Sequence, residues 1–91
     1  MKDVFMTVKE KIEKLLSENF DIIDLDVIDE SHKHIGHAGY REGGETHFHV
    51  VLKSSDFKGM TRVAQQRSVY KALETLMDKP IHALSLDISV P

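Results

Sequence analysis

"ETHFHVVLKSSDFKG", Glu45 to Gly59, is the stretch on which the rest of the chain turns. Phe48, Val50 and Leu52 alternate with His47, His49 and Val51. A period of two in β-branched and aromatic side chains predicts a strand with one buried face. The following "SSDFKG", Ser54 to Gly59, combines serines, an aspartate and a glycine, which is turn and capping chemistry.

Upstream of that strand, Ser31 to Glu45 has little periodicity and holds four of the five glycines. It predicts a long loop between strands, and such loops in compact domains are often functional. Five of the six histidines fall between Glu30 and Val50, and the sixth, His82, stands alone near the end. In "DIIDLDVID", Ile23, Leu25 and Val27 alternate with Asp24 and Asp26, predicting a first strand with a wet face. Val4, Val8, Ile12, Leu15 and Leu16 recur at helical spacing, widened by Phe5, and predict a helix over residues 3–18 capped by Asp3. Downstream, residues 60–77 read as helical, broken into a short and a longer piece. Val69, Tyr70, Leu73, Leu76 and Met77 supply the buried stripe, and Pro80 ends it. The last segment alternates Leu84, Leu86, Ile88 and Val90 against Ser85, Asp87 and Ser89, a third strand. The order is α-β-β-α-α-β, a single domain over residues 1–91 of mixed α/β (α+β) class, with a three-stranded sheet covered by helices on one face.

Composition narrows the function. Of 91 residues, 41% are apolar and 30% charged, a globular balance and not a disordered one. There is no cysteine, which excludes disulfides and thiolate metal sites of the chain's own. The net charge of -3 weakens any nucleic-acid reading built on bulk charge. The N-terminal stretch carries acidic residues throughout and reads as neither a secretory signal nor a transit peptide. No stretch approaches the roughly 20 apolar residues of a membrane span. The expectation is a cytoplasmic protein without a membrane partner.

Four blocks, "DESHKH" (29–34), "ETHFHVVLKSSDFKG" (45–59), "RSVYKALE" (67–74) and "IHALSL" (81–86), resemble the BolA-like proteins in order and spacing. The resemblance covers nearly the whole chain and implies the class II KH-like fold. It also implies a partnership with a monothiol glutaredoxin, the two proteins sharing a [2Fe-2S] cluster at their interface. In that arrangement the histidine of "HAL", here His82, is one ligand. A second comes from the loop between the first two strands, matching His34, with His37 as second choice because this loop is long and holds both. The glutaredoxin cysteine and a bound glutathione complete the set. No cofactor is expected in the isolated chain, which would be a monomer or weak homodimer. Some members are described as DNA-binding regulators of cell shape and stress response, so DNA is the alternative partner. The chain departs from the family pattern at Gln65-Gln66-Arg67, where many relatives carry Arg-His-Arg, and this weakens a DNA role for that helix.

Read by themselves, the residues are compatible with this. Neutral imidazole is a cluster ligand, and a chain without cysteine needs a partner's thiolates. On its residues alone His82 reads first as a histidine at the rim of the core, satisfied by a backbone carbonyl, and only the resemblance turns it into a ligand; the alternative for His34 is a solvated loop side chain. His47 and His49, about 7 Å apart on one strand face, form an H-x-H pair that can grip zinc or copper. The preferred reading is a wet sheet face, with a structural hydrogen bond for His47. His32 reads as solvated. No catalytic set emerges around Ser68, Ser85 or Thr46, the glycine-rich segment lacks a phosphate-loop lysine, and Asp24 and Asp26 read as solvated, so no enzyme is expected. "GHAG" at 36–39 has G-x-x-G spacing but lies between strands, where a KH loop would lie between helices. Lys58, Arg62, Arg67 and Lys71 form a basic strip in the sequence and are the candidate nucleic-acid contacts.

Overall fold

The computed structural model describes residues 6–31, 46–77 and 80–91. Asp3, Val4, Phe5, His32, His34, His37 and the "GHAG" tetrad lie outside them. Helix α1 runs Val8–Asn19 and strand β1 Ile22–Asp29; strand β2 is His47–Ser54, helix α2 Arg62–Ala72 and strand β3 Ala83–Ser89. One turn of 3-10 helix, Ser55–Phe57, stands between β2 and α2, inside the segment expected to turn, and the two helical pieces expected over residues 60–77 are instead the single helix α2 followed by turns.

The start of α1 is set by a capping box. Thr7 Oγ1 accepts the Glu10 N–H at 3.1 Å, and the Glu10 carboxylate accepts the Thr7 N–H at 2.8 Å. Two otherwise orphaned donors are satisfied there, so the helix begins at Val8 and Thr7 replaces Asp3 as the cap. Ile12 and Leu16, four residues apart, are the side chains α1 buries completely.

β2 is the central strand, antiparallel to β1 and parallel to β3. The parallel pairing needs a crossover, and α2 supplies it. Phe48, Val50 and Leu52 face Ile12, Leu16, Val69 and Leu73 in one buried cluster, so both helices lie on one side of the sheet. Each such side chain contributes about 1.5–3 kcal/mol on burial.

Three positions depart from the sequence pattern. The β1–β2 register slips between Ile22 and Asp24, and this irregularity turns Ile23 outward, 49% exposed, while Ile22 packs against the core. Its context is tertiary: the Asp21 N–H donates to Asp56 Oδ2 at 2.8 Å, tying the start of β1 to the 3-10 turn. Tyr70 falls in the helical stripe yet is exposed, because its hydroxyl reaches out to donate to the Leu84 carbonyl at 2.9 Å. α2 is shorter than residues 60–77; Thr61 caps its start by accepting the Ala64 N–H, and residues 73–76 continue as turns.

The 3-10 turn is held by Ser54, whose hydroxyl accepts the Asp56 N–H at 3.1 Å. Gln65 donates to the carbonyls of Phe57 and Met60 at 3.2 and 3.4 Å. It staples α2 to the turn. Gly59 adopts φ +77° with nothing within 4 Å of an added Cβ, so glycine is required here for its backbone conformation and not for space.

Candidate functional site

The site is built where the described chain leaves β1 and re-enters at β2. The Asp29 carboxylate accepts the Ser31 N–H at 2.9 Å, a local turn that aspartate favours. The Glu30 N–H then donates to the His47 carbonyl at 2.7 Å, extending the β1–β2 pairing by one residue. Ser31, 1% exposed, turns its hydroxyl inward, where Oγ accepts the Thr46 N–H at 2.9 Å and the His47 N–H at 3.0 Å. The Thr46 hydroxyl, also buried, lies 3.2 Å from Ser31 Oγ and 2.8 Å from His47 Nδ1. Residues 31 and 46 are thereby clasped together.

His82 is rooted on the same clasp. The Thr46 carbonyl accepts the His82 N–H at 2.7 Å and the Ala83 N–H at 3.2 Å, which fixes the entry to β3. The His82 side chain is exposed and stands one residue before the strand. It is not a histidine of the core rim: its backbone, not its ring, meets the carbonyl. The His47 ring, 6% exposed, lies 6.0 Å from the His82 ring, centroid to centroid, tilted by 49°. A hollow of about 260 Å³ beside them is lined by Glu30, His47, Phe48, Ala83, Leu84 and Ser85.

The H-x-H pair is divided by its environment. His47 is buried with Nδ1 on the Thr46 hydroxyl, the structural role preferred for it. His49 is half-buried, and its Nδ1 meets Ser85 Oγ at 2.7 Å across the β2–β3 pairing. Among the described residues no three His, Asp, Glu or Cys side chains converge to hold a metal ion. What these residues offer a metal is one exposed imidazole, His82, a donor suited to an ion presented from outside with other ligands in place. His34 and His37 lie outside the described residues.

The basic positions do not form one strip. At 3.6 residues per turn, Arg67 and Lys71 share a face of α2, whereas Arg62 is turned about 140° from Arg67. Arg62 instead lines a hollow of about 220 Å³ with Gln65, Gln66 and residues 86–88 of β3. Lys71 pairs with Glu74 at 3.7 Å, exposed on both sides. Lys58 is exposed at the end of the 3-10 turn.

Sequence reasoning missed Ser31 and treated Thr46 only as a failed nucleophile. The available signal was position: a serine and a threonine flank the histidine-rich segment, and both residue types bond neighbouring backbone.

Among the described residues no helix is long and apolar enough to cross a membrane. The chain is 42% identical over 87 residues to an uncharacterized Sinorhizobium protein in the cobS 5′ region, covering 94% of each. It is 37% identical to the DNA-binding transcriptional regulator BolA of Escherichia coli, covering 89% of this chain and 73% of that one. Other relatives are longer, and the chain spans 51% of one and 23% of another. The solved BolA domain of SufE1 from Arabidopsis thaliana superposes with a TM-score of 0.82 at 31% identity, over 96% of this chain and 95% of that domain. The same helix-covered sheet recurs there, and the model of the family described as BolA-like protein matches residues 16–91, a span that takes in the Ser31–Thr46 clasp and His82; the chain belongs to that family.

Proposed function

We propose that this protein partners a monothiol glutaredoxin and co-ligates a [2Fe-2S] cluster through His82 and a histidine of the segment between β1 and β2, His34 before His37, in iron-sulfur trafficking or iron sensing. The observation that carries this reading is the convergence at Thr46: the residue that closes the histidine-rich segment also anchors the backbone of His82. Ser31 and Thr46, the described residues on either side of that segment, are clasped together, and the same Thr46 roots His82. His82 is exposed and can meet a partner's metal, and no cysteine competes with the partner's thiolates. Two imidazoles in place of two thiolates raise the cluster's potential and make ligation depend on neutral histidine. When bound, the cluster supplies one-electron chemistry or is itself passed on.

Anaerobic reconstitution with a monothiol glutaredoxin and glutathione tests this. The mixture is expected to give a visible CD spectrum distinct from that of the glutaredoxin alone, and His82→Ala is expected to abolish the difference. A mixed-complex spectrum unchanged by His82→Ala would remove the ligand.

The names of the Escherichia coli and Haemophilus influenzae relatives, both DNA-binding transcriptional regulators, favour DNA binding as a second reading. Arg67 and Lys71, on one face, are its best-placed cations. If they contact phosphates, neutralising both lowers the slope of log affinity against log salt by about 2 in fluorescence anisotropy. Absence of binding at physiological salt disposes of this reading.

A further inference from the structure

We infer that the Thr46 hydroxyl and the His47 imidazole form a buttress that positions His82, Thr46 acting as the positioning residue and His47 as the wall. The inference rests on His82 being a ligand, as argued above, but it concerns residues that no ligand set includes.

Thr46 acts on His82 in two ways. Its carbonyl holds the amides of His82 and Ala83, which fixes where the His82 Cα leaves the sheet. Its hydroxyl holds His47 Nδ1 at 2.8 Å, and the His47 ring then stands 6.0 Å from the His82 ring. An exposed histidine before a strand would otherwise sweep several rotamers, each of which points its nitrogen elsewhere. The tethered ring removes part of that freedom. Thr46 and His47 are both buried, so the buttress is set before any partner arrives. Groups that orient a ligand imidazole matter to metal affinity almost as the ligand does.

The two actions can be separated. Thr46→Val keeps the volume, the carbonyl and the Ser31-bound amide but loses the hydroxyl; Thr46→Ser keeps the hydroxyl. In the cluster-free chain, long-range proton–nitrogen NMR spectra of the imidazoles are expected to show His82 resonances displaced in Thr46→Val and restored in Thr46→Ser. In the glutaredoxin complex, Thr46→Val is expected to alter the visible CD spectrum and speed cluster loss about tenfold, the lower end for outer-shell substitutions, while Thr46→Ser behaves as wild type. Should Thr46→Val fail to fold by far-UV CD, His47→Asn removes the wall while its amide still reaches Thr46, and the same displacement and faster loss are expected. Wild-type His82 resonances, or a wild-type spectrum and lifetime of the cluster in these variants while His82→Ala still abolishes it, would overturn the buttress and leave the ligand reading intact. Failure of the wild-type chain to share a cluster would overturn the ligand reading, and the buttress with it.

Discussion

Phe57→Ala is expected to destabilise the protein by about 3–5 kcal/mol, the usual range for emptying a buried aromatic site. Small domains are stable by only about 5–15 kcal/mol, so this variant would sit at or near the unfolding threshold. The ring is 0% exposed and packs against Phe20 with centroids 4.9 Å apart. It is also where several restraints meet. The 3-10 turn carrying it is tied to β1 through Asp56 and Asp21, and α2 is tied to its carbonyl through Gln65. Neighbours restrained on each side cannot collapse into the void, which pushes the cost towards the upper end. Calorimetry should find the midpoint lowered by at least about 12 °C, since each kcal/mol moves a domain of this size by about 4–8 °C. Phe57→Leu, which keeps most of the volume, should lose far less. A drop below about 5 °C for Phe57→Ala would mean the ring is not an anchor of this core.

The elements that a single chain segment can specify were legible in advance. The alternation of Phe48, Val50 and Leu52 places β2, and these three side chains are among the most deeply buried. Ile12 and Leu16 place α1 by the same logic at helical spacing. What escaped depends on partners distant in sequence or on local rules that compete. Asp3 and Thr7 are both acceptable caps, and only the reciprocal Thr7–Glu10 pair decides between them. Ile22 and Ile23 are interchangeable in a pattern of apolar letters; the slipped register that turns Ile23 outward belongs to the pairing with β2, beside a carboxylate 35 residues away. Tyr70 carries an apolar ring at core spacing but also a hydroxyl, and the hydroxyl's bond to β3 wins. At the site, His82 was named through the family resemblance, whereas its exposure and its root on Thr46 follow from the β2–β3 pairing.

The clasp at Ser31 is expected to be the most sensitive polar feature of the described structure. Its Oγ is an acceptor for two amides, Thr46 N–H and His47 N–H, at 2.9 and 3.0 Å, in a place where the serine is 1% exposed. Ser31→Ala removes both acceptances at once and leaves two buried donors unpaired. Each unpaired buried donor costs about 1–3 kcal/mol, and the methyl group returns little, so a loss of about 2–6 kcal/mol is expected in urea unfolding. A hydroxyl bonded on the surface gives the contrast. Ser85 meets His49 at 2.7 Å on an exposed strand face, and there water replaces what the substitution removes, so Ser85→Ala should cost within about 0.5 kcal/mol. Amide hydrogen exchange separates a local effect from a global one. In Ser31→Ala, the Thr46 and His47 amides should exchange faster by a larger factor than the core amides of Val50 and Leu52, and the His82 amide should follow because its acceptor is the Thr46 carbonyl. Equal stabilities for Ser31→Ala and Ser85→Ala would show that water reaches the clasp and that the two ends of the histidine-rich segment are not held by it. The larger loss at Ser31 would mean that one buried hydroxyl holds together the two residues flanking the histidine-rich segment, and through Thr46 the backbone of His82.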